Sequence, residues 1–182
     1  MFRISFVTLL LFMVTLSASP VSTSHAARAF LFSHAGLTGQ ASLCAQGEQV
    51  VWSCETVKER KLASICSSKN LDAERGYVQY RFGRVGRVEL EFPSKRAGSR
   101  SAFTYSRYTR PLVTYLKLEF LNNGVAYTIS DDSNEEEKPA RRYAAITVKN
   151  SDGEARETTL RCRMPVTGSL MKLEGVVERK DY

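Results

Sequence analysis

The chain has 182 residues, 43% of them hydrophobic and 25% charged, which is the composition of an ordinary globular protein of about one domain. That balance excludes a disordered or collagen-like chain, and four cysteines are too few to replace a hydrophobic core. The formal charge of +7 favours anionic partners but specifies no reaction.

Arg3 is followed by an apolar run, residues 4–16, and then by a stretch of small residues broken by Pro20. This three-part pattern predicts a secretory signal peptide over residues 1–26, with cleavage after Ala26 or as late as Ala29. The run is shorter than the ~20 residues a membrane span needs, so no span is expected once the signal is removed. The expected location is the periplasm or the secreted fraction. In that oxidising space Cys44, Cys54, Cys66 and Cys162 read as two disulfides rather than as thiols. The sequence has no CxxC and no histidine beside any cysteine, so a zinc site is not expected. All three pairings are open, among them Cys54 with Cys66 across a hairpin turning at residues 59–61.

Downstream, short runs alternate with period two between turn residues, the pattern of antiparallel strands. Residues 50–56 and 62–66 are weakly alternating strands. In residues 77–82 and 87–92, Val78, Tyr80 and Phe82 share one face, as do Val88, Leu90 and Phe92. A three-residue loop, Arg84-Val85-Gly86, brings those faces into phase and sets Arg81 opposite Glu89 on the outer surface. Residues 103–108 form another strand. In residues 112–121 the residues Leu112, Leu116, Leu118 and Phe120 share a face, and Asn123-Gly124 then predicts a tight hairpin. That turn pairs Phe120 with Tyr127, Leu118 with Ile129 and Glu119 with Thr128. A third hairpin joins Ala144, Ile146 and Val148 to Thr158, Leu160 and Cys162 through a three-residue loop, Ser151-Asp152-Gly153. A short helix fits residues 169–174. The predicted fold is all-β, an antiparallel sandwich or flattened barrel of eight to nine strands, disulfide-bonded, in one domain over residues 44–163. An ill-defined lead, residues 28–46, precedes it, and residues 164–182 read as a C-terminal tail.

The only histidines are His25 and His34, both ahead of the predicted strands, so a serine or cysteine nucleophile activated by histidine is not expected. The sequence carries no P-loop, dinucleotide fingerprint or EF-hand spacing, and no cofactor or metal is expected. The acidic run 131–137 lacks the spacing of a calcium loop and reads as solvated. With Arg3 removed, 25 basic residues face 19 acidic ones, or 14 once that run is set aside. The charge is thus expected to be lopsided. Lys95, Arg96, Arg100, Arg107 and Arg110 cluster around Tyr105 and Tyr108, and arginine with tyrosine offers a large contact area plus directed hydrogen bonds. These residues are the predicted binding surface. Alternation puts Phe103, Tyr105 and Arg107 on one face and Tyr108 on the other.

The stretch Tyr77-Val78-Gln79-Tyr80-Arg81-Phe82-Gly83, followed by Gly86, Glu89-Leu90 and Phe92-Pro93 and preceded by Trp52-Ser53-Cys54 and Ile65-Cys66, resembles small exported proteins of Gram-negative bacteria, a family itself uncharacterised. The likeness covers residues 50–163. In size, export, disulfides and antiparallel strands the chain also resembles the periplasmic lysozyme inhibitors, which project a loop into the lysozyme cleft. It departs from them in lacking their Ser-Gly-x-x-Tyr motif, and its positive charge is a poor match for strongly cationic lysozymes. The expected function is a non-catalytic binding protein of the bacterial envelope, of lysozyme-inhibitor type. The expected partner is a secreted protein or an anionic envelope component, and not nucleic acid. The alternatives are a histidine-free, carboxylate-dependent hydrolase and a structural envelope protein without a dedicated site.

Overall fold

A computed structural model describes residues 41–150 and 156–182. The signal segment, His25 and His34 lie outside the described residues, as does the Ser151-Asp152-Gly153 loop. Among the described residues eleven strands form two sheets. In chain order they are β1 (Gln49–Glu55), β2 (Leu62–Ser67), β3 (Val78–Arg84), β4 (Arg87–Phe92), β5 (Thr104–Arg110), β6 (Val113–Asn122), β7 (Val125–Asn134), β8 (Arg141–Asn150), β9 (Glu157–Arg161), β10 (Thr167–Gly168) and β11 (Glu178–Arg179). The first sheet runs β10-β1-β2-β3-β4 and the second β11-β5-β6-β7-β8-β9; every pairing is antiparallel except β11 with β5. The architecture is a sandwich, not a closed barrel.

The sheets meet over an aromatic core. Tyr80 of β3 and Phe92 of β4 pack on Phe120 of β6, with ring centroids 5.1 and 4.5 Å apart, and Phe120 in turn stacks on Tyr127 of β7 at 4.7 Å. Trp52, Ile65, Phe103, Leu118, Ile129 and Ile146 complete it, all fully buried. The Asn-Gly hairpin has the expected register, Phe120 opposite Tyr127 and Leu118 opposite Ile129. Its turn places Asn123 at φ 50° and Gly124 at φ 78°, the left-handed pair that a two-residue hairpin demands.

Two other hairpins correct the sequence reading. Arg84 pairs with Arg87, so only Val85 and Gly86 turn, and the register then shifts at Gly83 so that Arg81 faces Glu91, not Glu89. Gly83 sits at φ 147°, where a Cβ would lie 2.4 Å from the Arg87 carbonyl oxygen; its bare backbone makes room for a bulge at Glu89. In the third hairpin Ile146 faces Leu160 and Lys149 faces Glu157, a register that needs a longer connection than three residues. Because the displacement is even, each side chain keeps its expected face. Leu112 is also corrected: it occupies the β5–β6 turn at φ 63° and is 57% exposed, while Val113 begins the buried strand.

The disulfides are Cys44–Cys66 and Cys54–Cys162. Cys54 lies opposite Ala63 in the β1–β2 hairpin, out of reach of Cys66 in that register. The sequence separations of 22 and 108 correspond, on loop-closure entropy, to about 3 and about 5 kcal/mol.

The described part of the ill-defined lead, residues 41–46, and the C-terminal residues belong to the fold. Residues 41–48 lie as a strap over the outer face of the first sheet. Leu43 N–H donates to Ser64 Oγ at 3.0 Å, Ser53 Oγ donates to the Ala41 carbonyl at 3.2 Å, and Cys44 is tied to Cys66. This cover explains the weak alternation of β1 and β2, since β2 is buried on both faces. The reading of residues 164–182 as a tail is likewise corrected. Val166, Leu170, Leu173 and Val177 are buried in the core, β10 joins the first sheet, and β11 joins the second. The helix expected near residues 169–174 is a single 3-10 turn, Leu170–Leu173, capped by the Ser169 hydroxyl.

Candidate functional site

The predicted basic surface is dispersed by the fold. Lys95 is exposed. Arg96 sits 4.6 Å from the Tyr77 ring centroid and donates to Glu48 at 3.0 Å. Arg100 donates to the Asp72 and Glu74 carbonyls at 2.9 and 2.8 Å, anchoring that loop. Arg107 and Arg110 lie toward the far end of β5, ion-paired to Glu174 and Glu136 respectively. Tyr105 is a correction: it is fully buried, its hydroxyl has no hydrogen-bond partner among the described residues, and burial raises its pKa. Of the seven, Tyr108 alone contributes an exposed aromatic surface.

Arg81 is not an outer-surface residue either. It lies beneath the strap, where its guanidinium donates to Glu48 at 3.0 Å, to Glu91 at 2.7 Å and to the Leu43 carbonyl at 3.2 Å. Burial pushes the Glu48 carboxyl up, but hydrogen bonds from Arg81, the Ala45 N–H and the Tyr77 hydroxyl outweigh it and hold the pKa at about 2. Every partner in this network is another part of the fold, so its role is to fasten the strap.

The acidic run is corrected as well. Asp131 to Asn134 belong to β7, while Glu135 to Glu137 form the exposed bend that follows it, and Asp131, Glu136 and Glu137 each meet an arginine. Asp131 points inward, accepts Arg142 at 2.9 Å and the Leu170 N–H at 3.2 Å, and so pins the 3-10 turn to the second sheet. Glu136 pairs with Arg110 and Glu137 with Arg141. The charge is therefore less lopsided than composition alone implies.

Asp132 faces the other way, and it belongs to a row the sequence reading missed. Register puts Tyr108 opposite Tyr115, while Tyr143 is opposite Asp132 on β8. On the β6–β7 side Thr114 faces Ser133 and Lys117 faces Ser130, a register that sets Tyr115 beside Asp132. The outer face of the second sheet thus carries Tyr108, Tyr115, Asp132 and Tyr143 side by side across β5 to β8. The Tyr108 and Tyr115 rings are nearly parallel, with centroids 5.8 Å apart, and Tyr182 packs against both. Lys117 lies 4.1 Å from the Tyr182 centroid. Tyr108 and Tyr143 are each 42% exposed.

Between Tyr115 and Tyr143 the surface dips into a cavity of about 300 Å³ floored by Asp132 and rimmed by Asn134, Glu137 and Arg141. Burial pushes the Asp132 carboxyl up to about 6; Asp131 adds to the rise, while the Leu116 N–H and Lys117 oppose it. The signal for this row was in the sequence. Extending the Asn-Gly register outward from the turn places Tyr115 opposite Asp132, but a search guided by positive charge passes over it.

No protein-family model matches the chain, and neither the curated proteins nor the solved structures provide a match. The only grouping of potential metal ligands among the described residues, Cys44, Glu48 and Cys66, is consumed by the disulfide and by the Arg81 network.

Proposed function

We propose that the protein is an exported, non-catalytic binding protein of the bacterial envelope, and that it binds through the outer face of β5 to β8. The observation that carries this reading is the Tyr108–Tyr115–Asp132–Tyr143 row. Tyrosines that the core does not need stand partly exposed in line, beside a carboxylate that burial disfavours in its charged form. Partly exposed tyrosine supplies contact area at low conformational cost, and a carboxylate that the fold itself handicaps is a common mark of a working site. The two disulfides accord with export. Hydrolysis of a glycoside uses two carboxyl groups, whereas Glu137 in this cavity is already engaged by Arg141 and Asn134.

The test is retention of the labelled protein on isolated Gram-negative cell envelopes. Replacing Tyr108 and Tyr143 together by alanine should abolish retention while far-UV circular dichroism stays unchanged. Retention equal to wild type would overturn the assignment of the face. Inhibition of lysozyme that survives both replacements would move the function to a protein partner bound elsewhere.

A further inference from the structure

We infer that the cavity between Tyr115 and Tyr143 is a saccharide subsite, taking one ring of an uncharged pyranose oligosaccharide from the envelope's own glycan. The inference rests on the binding-face reading above and supplies its ligand class.

The position of the cavity within the sheet narrows the choice. β6 and β7 are hydrogen-bonded on both sides, and β8 pairs with β9 from Ala145 onward, so beneath the cavity only the short end of β8 at Arg141–Tyr143 lacks an outer neighbour, too little edge for a peptide to add as a strand. A ligand here is recognised chiefly by side chains. Those side chains are two aromatic rings and a set of directed polar groups, separated laterally by two strand spacings, about 10 Å. A pyranose matches that combination, because its C–H groups form an apolar face while its hydroxyls project around the rim. Tyr115 has the Tyr108 ring beside it and lines the cavity, so its position is braced before any ligand arrives. Tyr143 lines the opposite wall. Asp132 on the floor accepts hydroxyl protons, and Arg141 and Asn134 on the rim supply N–H donors.

Charge argues against the anionic polymer that composition favours. Asp132 and Glu137 face the cavity against Arg141, while the neighbouring Arg142 is committed to Asp131. The local field is therefore not positive, and a phosphate or carboxylate brought to Asp132 meets a like charge. A primary amine is the other alternative. It would be drawn to Asp132 but would bring its charge up beside Arg141 and would offer the two tyrosine rings no apolar face.

The experiment is a two-dimensional NMR titration of the whole exported protein with cellotetraose, with chitotetraose, and with a phosphorylated lipopolysaccharide core oligosaccharide. Saturable shifts at Tyr115, Asp132 and Tyr143 with a neutral tetrasaccharide are expected, and Tyr115→Ala or Tyr143→Ala should weaken binding at least tenfold. Tyr143→Ser, at a partly exposed position, serves as the second variant if a truncation at Tyr115 disturbs the sheet. Binding of the phosphorylated oligosaccharide alone, or neutral-sugar binding indifferent to both tyrosines, overturns the inference. Failure of all three sugars while envelope retention still depends on Tyr108 and Tyr143 rejects the saccharide and leaves the face. Loss of that dependence rejects the face as well.

Discussion

Asp131 and Asp132 are chain neighbours that serve opposite sides of one sheet: Asp131 is buried in an ion pair with Arg142, and Asp132 forms the floor of a cavity whose arginines pair with other carboxylates. Their replacements should therefore move stability in opposite directions. Asp131→Asn weakens the bonds from Arg142 and from the Leu170 N–H, and should cost about 2–3 kcal/mol in denaturant midpoint experiments.

Asp132→Asn should stabilise the protein at pH 7. The folded-state pKa of about 6 lies above the ordinary value of 3.8, so the folded protein holds this proton longer than the unfolded chain does. Stability consequently falls as pH rises from about 4 to 6, and at pH 7 the ionised group is a full burden. Allowing for solvent on its open side, that burden is about 1–2 kcal/mol. Urea titrations at pH 3.5 and pH 7 should show the gain only at the higher pH.

Glu48 carries the reverse dependence. Its folded pKa of about 2 lies below the ordinary 4.5, so its contribution is complete above about pH 4.5 and is lost as pH falls toward 2. Glu48→Gln leaves the buried Arg81 guanidinium with Glu91 as its one carboxylate partner and should cost about 3 kcal/mol at pH 7. The difference between variant and wild type should shrink steadily on acidification below pH 4.5, read by circular dichroism in denaturant.

Replacing Arg107 and Arg110 together by alanine should leave the fold intact, with a thermal midpoint close to wild type. Both make exposed or half-exposed ion pairs, with Glu174 and Glu136, of the kind that contributes little in water. Envelope retention should also persist, since neither residue lines the tyrosine-walled cavity. Loss of retention in this variant would restore the basic surface as the binding site.

Gly168→Ala should be severely destabilising, by more than about 3 kcal/mol. Its φ is 72°, and an added Cβ would stand 2.1 Å from the Val51 carbonyl oxygen in the adjoining strand. Gly98→Ala is the control. It has a similar φ of 69° but nothing within 4 Å, so only the backbone strain of about 1 kcal/mol remains. Thermal unfolding of the two variants separates close contact from conformation.

Local turn chemistry made part of this fold legible. Asn123-Gly124 specifies both its turn and its register, and that register reaches as far as Tyr115 and Asp132. The Arg84–Gly86 loop was misread because Gly86 offers a left-handed position that suits either loop length. The deciding residue was Gly83, whose role as a bulge depends on how closely Arg87 approaches. Arg81 looked like a surface residue because its cover, the strap bearing Leu43 and Glu48, is distant in sequence and has no periodic pattern. The tyrosine row was harder still. It needs three strand registers at once, and only one of them is fixed by an unambiguous turn.

The stretch from Val166 to Lys180 has a mechanical consequence. It hydrogen-bonds first to β1, crosses the interior with Leu170, Leu173 and Val177, and then hydrogen-bonds to β5. It is a clasp threaded through both covers of a book. The covers cannot part without tearing strand pairs from each, so the two halves of the protein are bound to lose their structure in one cooperative event rather than in turn.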